Sequence, residues 1–117
     1  MVIIRITMYT EIASFEEFES MKNEPALLAY FSTEACNVCK VLKPKVVQLL
    51  ETEFPEMKMA YVKSDVLPDV AGQNRIFAAP TILVFFDGRE YIRKSRNIGI
   101  MELQEAIARP YEMMFGE

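Results

Sequence analysis

The chain of 117 residues has no histidine, two cysteines and four glycines. Lacking histidine, it is without the side chain that most often acts as a general base near neutral pH and without the commonest nitrogen ligand for a metal. A closed structural zinc site wants four ligands, so two cysteines could serve one only if it were shared between chains or completed by carboxylates. Long apolar runs are missing as well. No stretch approaches the roughly 20 apolar residues that a membrane-spanning helix needs, and residues 1–8, with Arg5 inside the run, are too short and polar for a secretory signal. The chain therefore reads as cytoplasmic, with no membrane partner. Nor is there a surplus of positive charge: 13 Lys and Arg stand against 17 Asp and Glu, a net charge of −4. A nucleic-acid partner, which selects for a concentrated basic face, is not expected.

What remains is an ordinary globular composition, 51% apolar and 26% charged. It carries none of the low hydrophobicity that marks disorder, and the length suits a single domain over 1–117 able to bury its own core.

The feature around which the chain is organised is Cys36-Asn37-Val38-Cys39, placed where the apolar run 26–31 gives way to an amphipathic stretch beginning at Asn37. Two thiols at this spacing, between a buried strand and a helix, suggest dithiol–disulfide chemistry. In a reducing compartment a close pair is more often catalytic or metal-binding than a structural staple. Inert burial is the plain alternative, since free cysteine packs as a small apolar residue. It suits Cys36 poorly, because a polar Ser32-Thr33-Glu34 segment precedes it.

The rest of the chain alternates strands and helices. Residues 2–8 are β-branched and apolar enough for a strand. Ser14-Phe15-Glu16-Glu17 has the form of a capping box and opens a helix over 14–22 that buries Phe15, Phe18 and Met21. The run 26–31 is apolar on both alternating faces, as in a central strand covered on both sides. Val38, Val41, Leu42, Val46, Leu49 and Leu50 then recur at helical spacing to residue 53, with Pro44 inside the helix as a kink. A strand over 57–63 and a short helix within 65–73 follow. Residues 81–86 form the clearest strand, Asp87-Gly88 a hairpin turn, and 91–95 its antiparallel partner. Ile100, Leu103, Ile107 and Tyr111 mark a closing helix. Crossover helices between the early strands require parallel pairing, so the class is α/β with one mixed sheet and helices on both faces.

In this order, with Pro44 five residues beyond the second cysteine, Ala79-Pro80-Thr81 opening the fourth strand and Gly99 ahead of the last helix, the chain resembles the thioredoxin superfamily over nearly its whole length. The resemblance implies a thioredoxin fold, a five-stranded sheet of order 1-3-2-4-5, with Pro80 in the cis form facing the cysteines. It implies that Ala79 offers its backbone to an extended substrate, with Ala35, Asn37 and Val38 completing the binding surface. The helix N-terminus favours a thiolate at Cys36, which then attacks, while Cys39, one turn on and facing inward, resolves the mixed disulfide.

Departures from the family pattern bear on efficiency. Typical thioredoxins carry Trp-Cys-Gly-Pro-Cys; Ala35 in place of that tryptophan shrinks the platform beside Cys36. Tyr30 stands where a buried aspartate helps move protons from the second thiol, and Tyr61 where a lysine accompanies it. A tyrosine is a poor base at neutral pH, and packing with a satisfied hydroxyl is the favoured reading of both. Lys40 and Lys43 favour a thiolate and Glu34 opposes it, all three being expected at the surface, where screening leaves them weaker than the helix terminus.

The function expected is a thioredoxin-type oxidoreductase that reduces protein disulfides and contributes to redox homeostasis. It would act as a monomer, take electrons from a thioredoxin-reductase-type or low-molecular-weight thiol donor, and use no cofactor beyond the Cys36–Cys39 disulfide. The alternative is a binding or redox-sensing module of the same fold with little turnover.

Overall fold

The computed structural model describes residues 9–116. The elements run β1 (Thr10–Glu11), α1 (Phe15–Met21), β2 (Ala26–Ser32), α2 (Asn37–Glu53), β3 (Lys58–Lys63), α3 (Pro68–Gln73), β4 (Thr81–Phe86), β5 (Arg89–Ser95) and α4 (Ile100–Phe115). The strand expected over 2–8 lies outside the described residues. One five-stranded sheet has the order β1-β3-β2-β4-β5. β3 pairs parallel with β1 and β2, whereas β4 pairs antiparallel with β2 and β5.

Local signals account for the start of α1 and for the turn between β4 and β5. The Ser14 hydroxyl accepts from the Glu17 backbone N–H at 3.1 Å, and Glu17 reaches back to accept from the N–H of Ala13 at 2.6 Å. Two otherwise orphan donors at the start of α1 are thereby satisfied. Asp87 (φ 56°) and Gly88 (φ 79°) supply the left-handed pair that a two-residue hairpin needs. β5 consequently starts at Arg89, two residues before the position that apolar content alone suggests.

All seven residues of β2 are buried. Its side chains alternate between two cores. Leu28 and Tyr30 point to one face with Ile82 and Val84, under α2 and α4, where Val46, Leu49, Leu103 and Ile107 cover them. Leu27, Ala29 and Phe31 point to the other with Leu83 and Phe85, under Phe18 of α1 and Val70 of α3. Each large apolar side chain so covered contributes about 1.5–3 kcal/mol, which is why the central strands need no polar alternation.

The buried stripe of α2 is Cys39, Leu42, Val46, Leu49 and Leu50. Val38 and Val41, assigned to that stripe by spacing, are instead 59% and 62% exposed. Each precedes a stripe residue by one position, a rotation of about 100° around the axis. Pro44 lies inside α2 as expected, and Pro110 inside α4 is a second interruption.

Candidate functional site

The end of β2 and the start of α2 deliver the two cysteines. Cys36 is the N-cap residue of α2, in extended conformation (φ −86°, ψ 98°), and its Sγ accepts from the Cys39 N–H at 3.1 Å. Its own N–H donates to the Thr33 carbonyl at 3.1 Å, holding the turn out of β2. Cys36 is half-buried and Cys39 is buried. The two are joined as a disulfide with Cα atoms 5.3 Å apart, the separation their placement around one helical turn permits.

Facing them is the turn into β4. The Ala79–Pro80 bond is cis. Thr81 Oγ1 donates to the Ala78 carbonyl at 2.7 Å, and the Arg96 N–H donates to the Pro80 carbonyl at 2.8 Å, so the proline turn is tied both within itself and to the end of β5. An open groove of about 410 Å³ lies between the two elements. It brings together Cys36 and all five residues expected to form the binding surface, Ala35, Asn37, Val38, Ala79 and Pro80. Cys39 is not part of the lining, consistent with its burial behind Cys36.

Three lining residues escaped the sequence reading: Thr33, Arg96 and Asn97. Thr33 is legible as part of the polar segment just beyond β2. Arg96 carries no compositional signal, because arginine is not a turn residue, yet here it has φ 65°. A larger cavity of about 820 Å³ adjoins the groove through Arg96 and contains neither cysteine.

Behind the disulfide the polar groups are closed among themselves. The Tyr30 hydroxyl, fully buried, donates to the Cys39 carbonyl at 2.6 Å. Burial, and secondarily the charge Tyr61 would carry, push the Tyr30 phenol well above its ordinary range. Tyr61 accepts from Ser32 Oγ at 2.9 Å. Packing with a satisfied hydroxyl is thus what both tyrosines do. Lys43 departs from expectation: its Nζ sits 3.9 Å from the centroid of the Tyr61 ring and 4.2 Å from that of Tyr9, half-buried rather than at the surface. Lys40 and Glu34 are exposed, and the Glu34 N–H donates to Asp65 Oδ2 at 3.2 Å. Among the described residues no group of three or more His, Cys, Asp or Glu side chains is placed to hold a metal ion, and no helix is long and apolar enough to cross a membrane.

A disulfide-forming cysteine pair at a helix N-terminus, opposite a cis-proline turn on a mixed sheet of this order, defines a thiol–disulfide exchange domain. The thioredoxin family model matches residues 7–109. A thioredoxin-like protein of Bacillus subtilis, YdfQ, is 30% identical over 106 residues, covering 91% of this chain and 92% of the relative. Thioredoxin of Chlamydia trachomatis is 30% identical over 97 residues, covering 83% and 91%. Among solved structures, thioredoxin of Malassezia sympodialis superposes with a TM-score of 0.81 over 95% of this chain and 97% of that one, at 19% identity, a likeness of fold alone. The chain belongs to the thioredoxin family, and it is a thioredoxin-type thiol–disulfide oxidoreductase.

Proposed function

We propose that the chain reduces protein disulfides as one unit over 1–117, in the cytoplasm and as a monomer, with Cys36 as nucleophile and Cys39 as resolving thiol. In the reduced form the Cys36 thiolate, favoured by the N-terminal amides of α2, attacks one sulfur of a substrate disulfide. A mixed disulfide forms and the other substrate sulfur leaves as a thiolate. Cys39 then gives up its proton and attacks Cys36 Sγ, closing the Cys36–Cys39 disulfide and releasing the second substrate thiolate; two electrons have passed to the substrate. A thioredoxin-reductase-type enzyme or a low-molecular-weight thiol restores the pair, and no prosthetic group takes part. An extended substrate segment lies along Ala79 and Pro80, with Ala35, Asn37 and Val38 on the opposite wall.

The observation that carries this reading is the contrast between the two sulfurs. Cys36 caps the helix at the edge of an open groove, and Cys39 is only 2% exposed behind it. Titration of the pair by thiol alkylation and intact mass across a graded dithiothreitol and glutathione series tests it. A reversible two-electron transition in the region of about −270 mV is the expected result for a reductant. A transition nearer about −120 mV would make the chain an oxidant, and failure to form the disulfide at any poise would leave only a binding module.

A further inference from the structure

Two of the three non-glycine residues at positive φ in the described chain are arginines, Arg75 at 55° and Arg96 at 65°. That region is disfavoured for any residue bearing a Cβ, and arginine has no local hydrogen bond with which to compensate. Both arginines border the cavity of about 820 Å³, which Arg96 shares with the Cys36 groove. The backbone bond from Arg96 to Pro80 holds that residue at the proline turn.

The guanidinium groups here are not equivalent. Arg93, also in this cavity, is fully engaged: Nε and Nη2 donate to the Glu90 carboxylate at 2.8 and 2.9 Å, and Nη1 and Nη2 to the carbonyls of Arg75 and Asn74 at 3.1 and 2.9 Å. Arg93 thereby braces the turn that carries Arg75. Arg75 and Arg96 are exposed and, among the described residues, neither guanidinium has an ion-pair partner. On the other flank the sign reverses. Asp65 borders a cavity that shares Thr33 and Ala79 with the groove. A chain of net charge −4 thus presents unpaired positive charge on one side of its reactive sulfur and negative charge on the other.

We propose that Arg96, seconded by Arg75, selects disulfides in acidic peptide segments, pairing with a carboxylate on the Arg96 side of the attacked cystine. The proposal rests on Cys36 being the attacking thiol. Arg96 is a specificity determinant: its planar fork matches a carboxylate and touches no reacting atom. Exposure to solvent limits the gain and makes it salt-dependent.

The test compares kcat/KM for cystine peptides identical except for Asp, Asn or Lys on either side of the cystine. The parent is expected to prefer the Asp peptide over the Asn peptide by about fivefold at low salt, with the Lys peptide slowest and the differences collapsing at high salt. Arg96→Gln and Arg96→Gly should bring the ratio of the Asp rate to the Asn rate down to about one, whatever either does to the rate common to all the peptides; Arg96→Lys should keep most of the preference. The glycine variant accepts φ 65° without steric strain, so loss of preference there is not the result of backbone strain. Equal Asp and Asn rates in the parent, with turnover still dependent on Cys36, would overturn the selectivity alone. A preference that survives in the Arg75→Gln, Arg96→Gln double variant would do the same. If the parent reduces none of the peptides, the assignment of Cys36 falls and the proposal with it.

Discussion

The front and the back of the disulfide are built on opposite terms. In front, Cys36 meets an open groove whose rim carries a strained arginine. Behind, Cys39 rests on a buried tyrosine bonded to its carbonyl, with Tyr61 and Lys43 stacked alongside and no aspartate in the position the family usually gives one. The lesson is that recognition and proton handling are separate structural problems. This chain keeps a site that can receive a substrate while replacing a buried ionisable group by a neutral, fully bonded one.

The largest effect should come from the sulfurs. Cys36→Ser is expected to abolish exchange, while Cys39→Ser should trap a mixed disulfide visible by intact mass as chain plus substrate. Equal turnover by Cys39→Ser and the parent would remove the asymmetry between front and back. Next comes the packing behind. Tyr30→Ala should cost about 3–5 kcal/mol of unfolding free energy through the cavity it leaves, and Tyr30→Phe only about 1 kcal/mol through the lost hydrogen bond. A phenylalanine variant as stable as the parent in urea melts would show that the 2.6 Å bond to Cys39 contributes nothing.

Alkaline pH separates burial from bonding further. Because the folded phenol of Tyr30 is raised above its unfolded value of 10.0, the folded state binds its proton more tightly. Its contribution is fully present below that value and is lost as pH climbs from there toward the folded one. The parent should therefore lose stability above about pH 10 relative to Tyr30→Phe, and parallel pH profiles for the two would contradict a buried neutral phenol. The smallest effect belongs to Lys43→Gln. Loss of the ammonium over two rings should cost about 0.5–1 kcal/mol, measured in denaturant at low and high salt.

How much of this the sequence displays depends on whether a feature is local. The Asp87-Gly88 turn, the capping box at Ser14 and the cysteines between strand and helix are short-range patterns, and each stands where the pattern puts it. Val38 and Val41 show the limit of periodicity, which gives a stripe but not its phase; only the positions of Leu42 and Val46 on the sheet fix which side is buried. Tyr30 was readable as a core tyrosine, whereas its partner, a backbone carbonyl nine residues on, was not. Arg96 is the hardest case, since the backbone bond that places it at the groove runs to Pro80 sixteen residues earlier.

One edge of the sheet carries a further consequence. β5 is the outermost strand on its side, exposed at Arg89, Glu90, Tyr91, Arg93 and Ser95, and the ladder to β4 slips at Val84/Phe85. An unpaired strand edge is a template for another chain's strand unless charge or a bulge spoils it, and here both are present. If extended polypeptides are met at the groove, as proposed, the flank is guarded against accepting them, and pairing there would seed fibrous aggregation instead of exchange.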